Sequence, residues 1–156
     1  MSTFRVLPIE RSISDLARAS RRAPRYGHPV HAELATGYGP CRSCLNVFRE
    51  GEDRRLLFTF DPFAGLNPYP DPGPVFIHEE SCPVYEQTST FPPALRNLPL
   101  TFEGYGSDRW LLARDRPADG GIESSIERIF TDPAVQYIHV RNSEAGCFIA
   151  RIERAG

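Results

Sequence analysis

A Cys-x2-Cys pair at Cys41 and Cys44 is followed, after thirty-three intervening residues, by a His-x3-Cys pair at His78 and Cys82. Thiolate sulfur and imidazole nitrogen are the groups that hold zinc tetrahedrally. If the four act together, any fold of this chain must bring its two short clusters to one place. Four protein donors close the coordination sphere and leave no open position for water, so the expected site is a structural Cys3His zinc centre. A second reading stands beside it: the cysteines are small buried hydrophobes and His78 is a hydrogen-bonded residue at a strand end.

Composition narrows the setting. A chain of 156 residues is read as one domain spanning 1–156, large enough to bury a core without staples. The net charge of −2 argues against general nucleic-acid binding. No run of eighteen apolar residues occurs, so no membrane-spanning helix is expected, and the stretch Met1 to Pro8 lacks the apolar core of a secretory signal. A cytoplasmic location follows as the expectation, and there four cysteines point to metal or redox chemistry before disulfides. All 18 basic residues are arginine. Schiff-base catalysis and a P-loop lysine are thereby excluded within this chain.

Periodicity predicts an α+β fold, mostly antiparallel sheet with two short helices and long Pro/Gly-rich loops. Residues 3–7 read as a strand. Ile13, Leu16, Ala17 and Ser20 recur at helical spacing between Ser12 and Arg22, with Ser12 or Ser14 as N-cap. Arg18, Arg21, Arg22 and Arg25 form a basic cluster there, read as a solvated helix face. His28 and His31 read as surface histidines. Val30–Leu34, Leu56–Phe60, Val75–Ile77, Leu100–Glu103 and Arg109–Ala113 read as strands, with a turn at Gly51 and loops at 62–74 and 87–98. Ile122, Ile126, Ile129 and Phe130 mark one face of a second helix. Val135–Arg141 and Cys147–Glu153 read as a hairpin, whose alternation puts Tyr137, His139 and Arg141 on one face and Ile138 and Val140 on the other.

Two other constellations carry chemistry. Cys41-x2-Cys44 can cycle between dithiol and disulfide, with Arg42 favouring a thiolate, although no convincing helix follows Cys44. Arg42, His139 and Arg141 offer planar or switchable donors for a small anion, and His139 could act as acid or base near neutral pH. The plainer reading of the Tyr137–His139–Arg141 face is a solvent-exposed sheet surface, or one that pairs with acidic neighbours. Asp61, Glu79 and Glu80 are candidate partners for His78, and Cys147 either lies near the first cysteine pair or faces the core.

The chain resembles the bacterial family DUF1203. The marks are Gly37-Tyr38, Pro40-Cys41-Arg42, Cys44-Leu45, Gly51-Glu52 and Leu56-Leu57, then Asp61-Pro62-Phe63, Pro68-Tyr69 and Gly73-Pro74-Val75-Phe76-Ile77-His78-Glu79. Tyr137-Ile138-His139-Val140-Arg141-Asn142 and Gly146-Cys147-Phe148 complete them. No established activity comes with the resemblance. Locally, Cys41-x2-Cys44-x3-Phe48-x2-Gly51-Glu52 and Phe76-x-His78-x3-Cys82 are similar to treble-clef and RING-type zinc sites. The long proline-rich insert and the lack of a second ligand set argue against a two-zinc RING. Two functions of different class are therefore expected. One is a zinc-stabilised binding or interaction module, with the Pro62–Pro74 loop as a surface for a protein partner. The other is a small enzyme or anion binder using Cys41, Arg42, His139 and Arg141.

Overall fold

The computed structural model describes residues 3–64, 71–118 and 120–155. Strand β1 (Phe4–Leu7) leads into helix α1 (Arg11–Ser20), followed by β2 (His31–Leu34), β3 (Arg54–Phe60) and β4 (Gly73–His78). Strands β5 (Leu100–Tyr105) and β6 (Leu111–Asp115), helix α2 (Ile122–Phe130), and strands β7 (Tyr137–Asn142) and β8 (Phe148–Arg154) complete the order. Two antiparallel sheets result, one of five strands ordered β1-β8-β7-β5-β6 and one of three ordered β2-β3-β4. The architecture is α+β, as the periodicity predicts. Among the described residues no helix is long and apolar enough to cross a membrane.

Helix α2 occupies the span predicted for it. Its buried Ile122, Ile126 and Ile129 meet Phe102, Ile138, Val140 and Ile152 on one face of the large sheet. Helix α1 departs in detail. Neither Ser12 nor Ser14 caps it: Glu10 holds the N-cap position without a side-chain bond, and Ser14 donates to the Arg11 carbonyl at 3.1 Å. Leu16 faces solvent, while Ser14 and Ala17 are buried against the small sheet. Small side chains on that edge allow close approach of the helix, and the long Leu16 is left outside. The helix stops at Arg21, whose φ of 58° is left-handed.

The second core joins α1, the small sheet and the segment 41–48, through Ile9, Ala17, Cys41, Cys44, Phe48, Leu56, Phe58, Val75, Ile77 and Phe148. Strand β4 begins at Gly73 and includes Pro74, two residues earlier than predicted, because Pro74 stands opposite Thr59 in the ladder of an edge strand. Arg109 and Trp110, predicted as strand, instead form the end of a 3-10 turn (Ser107–Arg109) and its exit, with Arg109 at φ 64°. The predicted loop at 87–98 holds a short 3-10 turn at Pro93–Leu95.

Helix α2 can lie close to β5 because Gly104 has no side chain. A Cβ there would stand 2.8 Å from Ile129 Cγ2 and 3.2 Å from Val135 Cγ1. Gly104→Ala is expected to lower stability by about 1–3 kcal/mol, as overpacking of a filled core does. Leu16→Ala on the exposed side of α1 should stay within roughly 0.5 kcal/mol of the parent. Urea unfolding of the two variants beside the parent measures both.

Candidate metal centre

The first pair of candidate donors sits in a tight turn. The Leu45 N–H reaches the Cys41 carbonyl at 2.9 Å, and the Cys41 N–H reaches the Asn46 carbonyl at 2.9 Å. Leu45 is buried at φ 60°, a left-handed conformation costing a non-glycine residue about 1–2 kcal/mol. The surrounding structure holds it there. The second pair arrives from β4, which ends at His78 opposite Arg55 and leads on to Cys82. The two halves are stitched by backbone: the Arg42 N–H bonds the Phe76 carbonyl at 2.9 Å, and the His78 N–H points at Cys41 Sγ at 3.3 Å.

One ligand atom from each of Cys41, Cys44, His78 and Cys82 lies within 4.8 Å of all the others. Cys41 Sγ and Cys82 Sγ are 3.9 Å apart, and Cys44 Sγ is 3.6 Å from His78 Nδ1. A tetrahedral zinc with Zn–S of about 2.3 Å and Zn–N of about 2.0 Å has sulfur–sulfur edges of about 3.8 Å and sulfur–nitrogen edges of about 3.5 Å. Both separations match. Cys41 and Cys44 are buried, whereas His78 and Cys82 are half-buried and line an open polar depression beside Asp53.

The electrostatics favour the anion at Cys41 and the neutral thiol at Cys44. Burial pushes the Cys41 thiol up, but hydrogen bonds from Cys44, Cys82 and His78 together bring it well below its ordinary value. Cys44 is pushed up, first by its hydrogen bonds to Cys41 and Cys82 and then by burial. His78 rises to about 10 through its hydrogen bonds to Cys41 and Cys82. Thiolate character is the form a metal ion requires.

Two side chains that support this cluster carry no signal in the sequence. Asp53 Oδ2 lies 3.4 Å from His78 Nε2, opposite the nitrogen that faces the sulfurs. The Asp53 carboxylate is held at about 2, first by the Arg49 backbone N–H and then by the Arg49 guanidinium. Arg18 donates to Cys82 Sγ at 3.3 Å and to the His78 carbonyl at 3.1 Å. Arg18 was expected on a solvated helix face, yet its side chain is only 13% exposed. Two of the acidic neighbours named from the sequence do other work. Glu79 pairs with Arg21 and Arg54, and Asp61 accepts the Phe63 and Asp71 backbone N–H groups.

The other candidate donors are placed differently. Arg42 is buried, donating through Nε to the Phe148 carbonyl at 2.8 Å and through Nη1 to the Pro40 carbonyl at 2.6 Å. Burial lowers it to about 10, opposed by the charges of Cys147 and Cys41. Arg141 bonds Glu103 at 2.8 Å, the Gly146 carbonyl at 3.1 Å and Asp71 at 3.3 Å. His139 and Tyr137 do share its face, as alternation predicts, but that face is not solvent-exposed. The ring of Phe63 lies 4.6 Å from that of His139, Phe148 lies 4.9 Å away, and His139 is 0% exposed with neither ring nitrogen hydrogen-bonded. Cys147 is a half-buried free thiol interacting with Arg42. His28 and His31 are exposed, as expected. Of the Pro62–Pro74 loop, residues 65–70 lie outside the described residues, and Pro68-Tyr69 with them.

The chain is thus a two-sheet α+β protein with a Cys3His cluster that could hold a metal ion. It belongs to the family described as protein of unknown function (DUF1203), whose model matches residues 38–154. No curated protein and no solved structure matches it. The match includes all four cluster residues and Asp53, while Arg18 lies before it.

Burial, reinforced by Arg141, Arg151 and Arg109, holds His139 well below its ordinary value, so the folded state keeps it neutral. The unfolded chain takes up a proton near pH 6.5. Below that pH the unfolded state binds more protons, and stability falls by up to about 1.4 kcal/mol per pH unit until the folded-state pKa is reached. Because its nitrogens bond nothing, His139→Leu should be no less stable at pH 7.5 and should lack this loss between pH 6.5 and 5. Unfolding midpoints of parent and variant across that range test it.

Proposed function

We propose that this protein is a zinc-stabilised binding or interaction module whose Cys41, Cys44, His78 and Cys82 hold one structural zinc ion. The observation that carries the reading is the convergence of four donor atoms within 4.8 Å, from chain segments more than thirty residues apart. The surroundings support it. Asp53 at His78 Nε2 fixes the ring so that Nδ1 faces the sulfurs, the carboxylate–histidine arrangement that accompanies metal-bound imidazole. Arg18 donating to Cys82 Sγ offsets thiolate charge. With four protein donors the ion would be closed to substrate, and its contribution would be to stability. The chain then acts as one domain over 1–156, and thiolate ligands require a reducing compartment such as the cytosol.

The competing reading is thiol exchange at Cys41 and Cys44, or an anion pocket at Arg42, His139 and Arg141. One set of measurements separates them. Elemental analysis of untagged protein is expected to give about one zinc per chain, with thiols reactive only after a chelator is added. Cys82→Ser should lose the metal. Chelation should lower stability by about 4 kcal/mol if the free zinc before chelation stands near a thousandfold its Kd. Asp53→Asn should retain zinc but bind it about 10-fold to 100-fold more weakly. A Cys82→Ser protein that is metal-free yet melts like the parent, or a Cys41–Cys44 disulfide in the purified chain, would end the zinc reading.

A further inference from the structure

Of the three sulfurs in the cluster, one meets solvent. Cys41 is 0% and Cys44 7% exposed, whereas Cys82 is half-buried and lines the open depression of about 550 Å³ together with Ser81, Asp53 and Arg54. Two groups stand against its sulfur. The Arg18 guanidinium donates to Cys82 Sγ at 3.3 Å, and Cys41 Sγ lies 3.9 Å away on the buried side. An accessible sulfur with a cation beside it and a second sulfur behind it is the arrangement in which a thiol is oxidised and then resolved.

The backbone decides which sulfur moves. A disulfide needs about 2.05 Å between its sulfurs, so one of the two must approach the other. Cys41 is fixed in its turn, where its N–H bonds the Asn46 carbonyl and its carbonyl accepts from Leu45. Cys82 lies in neither helix nor strand. Its segment runs between the Glu79 N–H bond to the Arg54 carbonyl and the Tyr85 N–H bond to the Ser43 carbonyl. A segment tied only at its ends gives way before a bonded turn does.

We infer that Cys82 is a site of oxidation by hydroperoxides, with Cys41 as its resolving thiol and release of the zinc ion as the consequence. The inference rests on the zinc reading and adds a chemistry to that site. In the first step the Cys82 thiolate attacks the terminal oxygen of the hydroperoxide. The sulfur–oxygen bond forms, the oxygen–oxygen bond breaks, and an alkoxide or hydroxide leaves a sulfenic acid on Cys82. In the second step the Cys41 thiolate attacks the Cys82 sulfur, the disulfide forms and hydroxide departs. Two electrons have passed from two thiolates to the hydroperoxide. Cys44 and His78 are then the only donors left, too few for a closed tetrahedral site. A hydroperoxide presents one small oxygen to a half-buried sulfur, whereas exchange with a bulky disulfide needs access for a further sulfur behind the one attacked.

The test treats the untagged, zinc-loaded full chain with excess hydrogen peroxide in the presence of a chromogenic zinc chelator too weak to strip the untreated protein. About one zinc should be released for every two thiols lost. Peptide mapping by mass spectrometry should find the disulfide between Cys41 and Cys82, with Cys44 and Cys147 still alkylatable. Dithiothreitol and added zinc should restore the loaded protein. Cys147→Ser, which alters the one thiol outside the cluster, should release zinc as the parent does. Zinc retained through complete peroxide treatment would overturn the inference, as would a disulfide joining Cys41 to Cys44 or Cys44 to Cys82. Loss of the response in Cys147→Ser would overturn it too, by making that thiol the one attacked. Each of these leaves the zinc reading standing, whereas protein that holds no zinc before peroxide is added overturns both.

Discussion

The turn from Cys41 to Leu45 holds the two sheets together. Its own secondary structure is minimal, yet its backbone and the Arg42 side chain together reach four separate parts of the chain. The Arg42 N–H bonds Phe76 of β4, the Arg42 carbonyl accepts from Ile9 ahead of α1, the Ser43 carbonyl accepts from Tyr85, and Arg42 Nε bonds the Phe148 carbonyl of β8. Buried peptide groups need partners, and an irregular segment can find them only by tying neighbours to itself. The cysteine pair therefore occupies the joint between the large sheet, the small sheet and the first helix. A metal ion bound here would fix that joint.

Charge at the joint follows from the same burial. The Arg42 guanidinium donates to two backbone carbonyls, and among the described residues no ion pair with a carboxylate accompanies them. Removing a cation from water costs several kcal/mol unless negative charge lies nearby. The Cys41 thiol, held toward its anion, supplies that negative character. On the zinc reading, three thiolates around a divalent ion leave one negative charge, and Arg42 and Arg18 flank it. Lysine would serve this position poorly. A guanidinium can point different N–H groups at two carbonyls and a sulfur at once, whereas an ammonium is a compact, strongly hydrated point charge.

Much of this was legible in the residues. The alternation in β7 correctly divides Ile138 and Val140 from Tyr137, His139 and Arg141, and the isoleucine spacing of α2 defines its buried face. Both depend on neighbours in sequence. The cluster was legible for another reason: soft donors in pairs are chemically distinctive even when the intervening fold is unknown. Asp53 and Arg18 were not legible, because their roles depend on how α1 and the start of β3 pack beside His78. Glu79 is adjacent to His78 in sequence but points to Arg21 and Arg54 instead. Proximity along the chain was the wrong measure once His78 stood at a strand end.

The face of β7 shows the same limit in a different form. Alternation says which side chains share a face and is silent on what covers it. Here Asp61 accepts the Phe63 N–H at 2.9 Å, turning the chain so that the Phe63 ring lies over His139 and Tyr105. Arg109 then lies over Phe63 at 4.2 Å, and Arg151 over Tyr137 at 4.1 Å. Cations on the outside of aromatic rings gain from the ring faces while their charged ends stay near water. They also raise the cost of a second positive charge beneath the rings. His139 is thereby kept neutral, first by its burial and then by the arginines that close its surroundings, while the Cys41 sulfur at the joint is pushed toward the anion by hydrogen bonds from Cys44, Cys82 and His78. An all-arginine chain can serve aromatic faces and buried carbonyls alike, because one planar cation can stack, fork and pair according to what the fold places beside it.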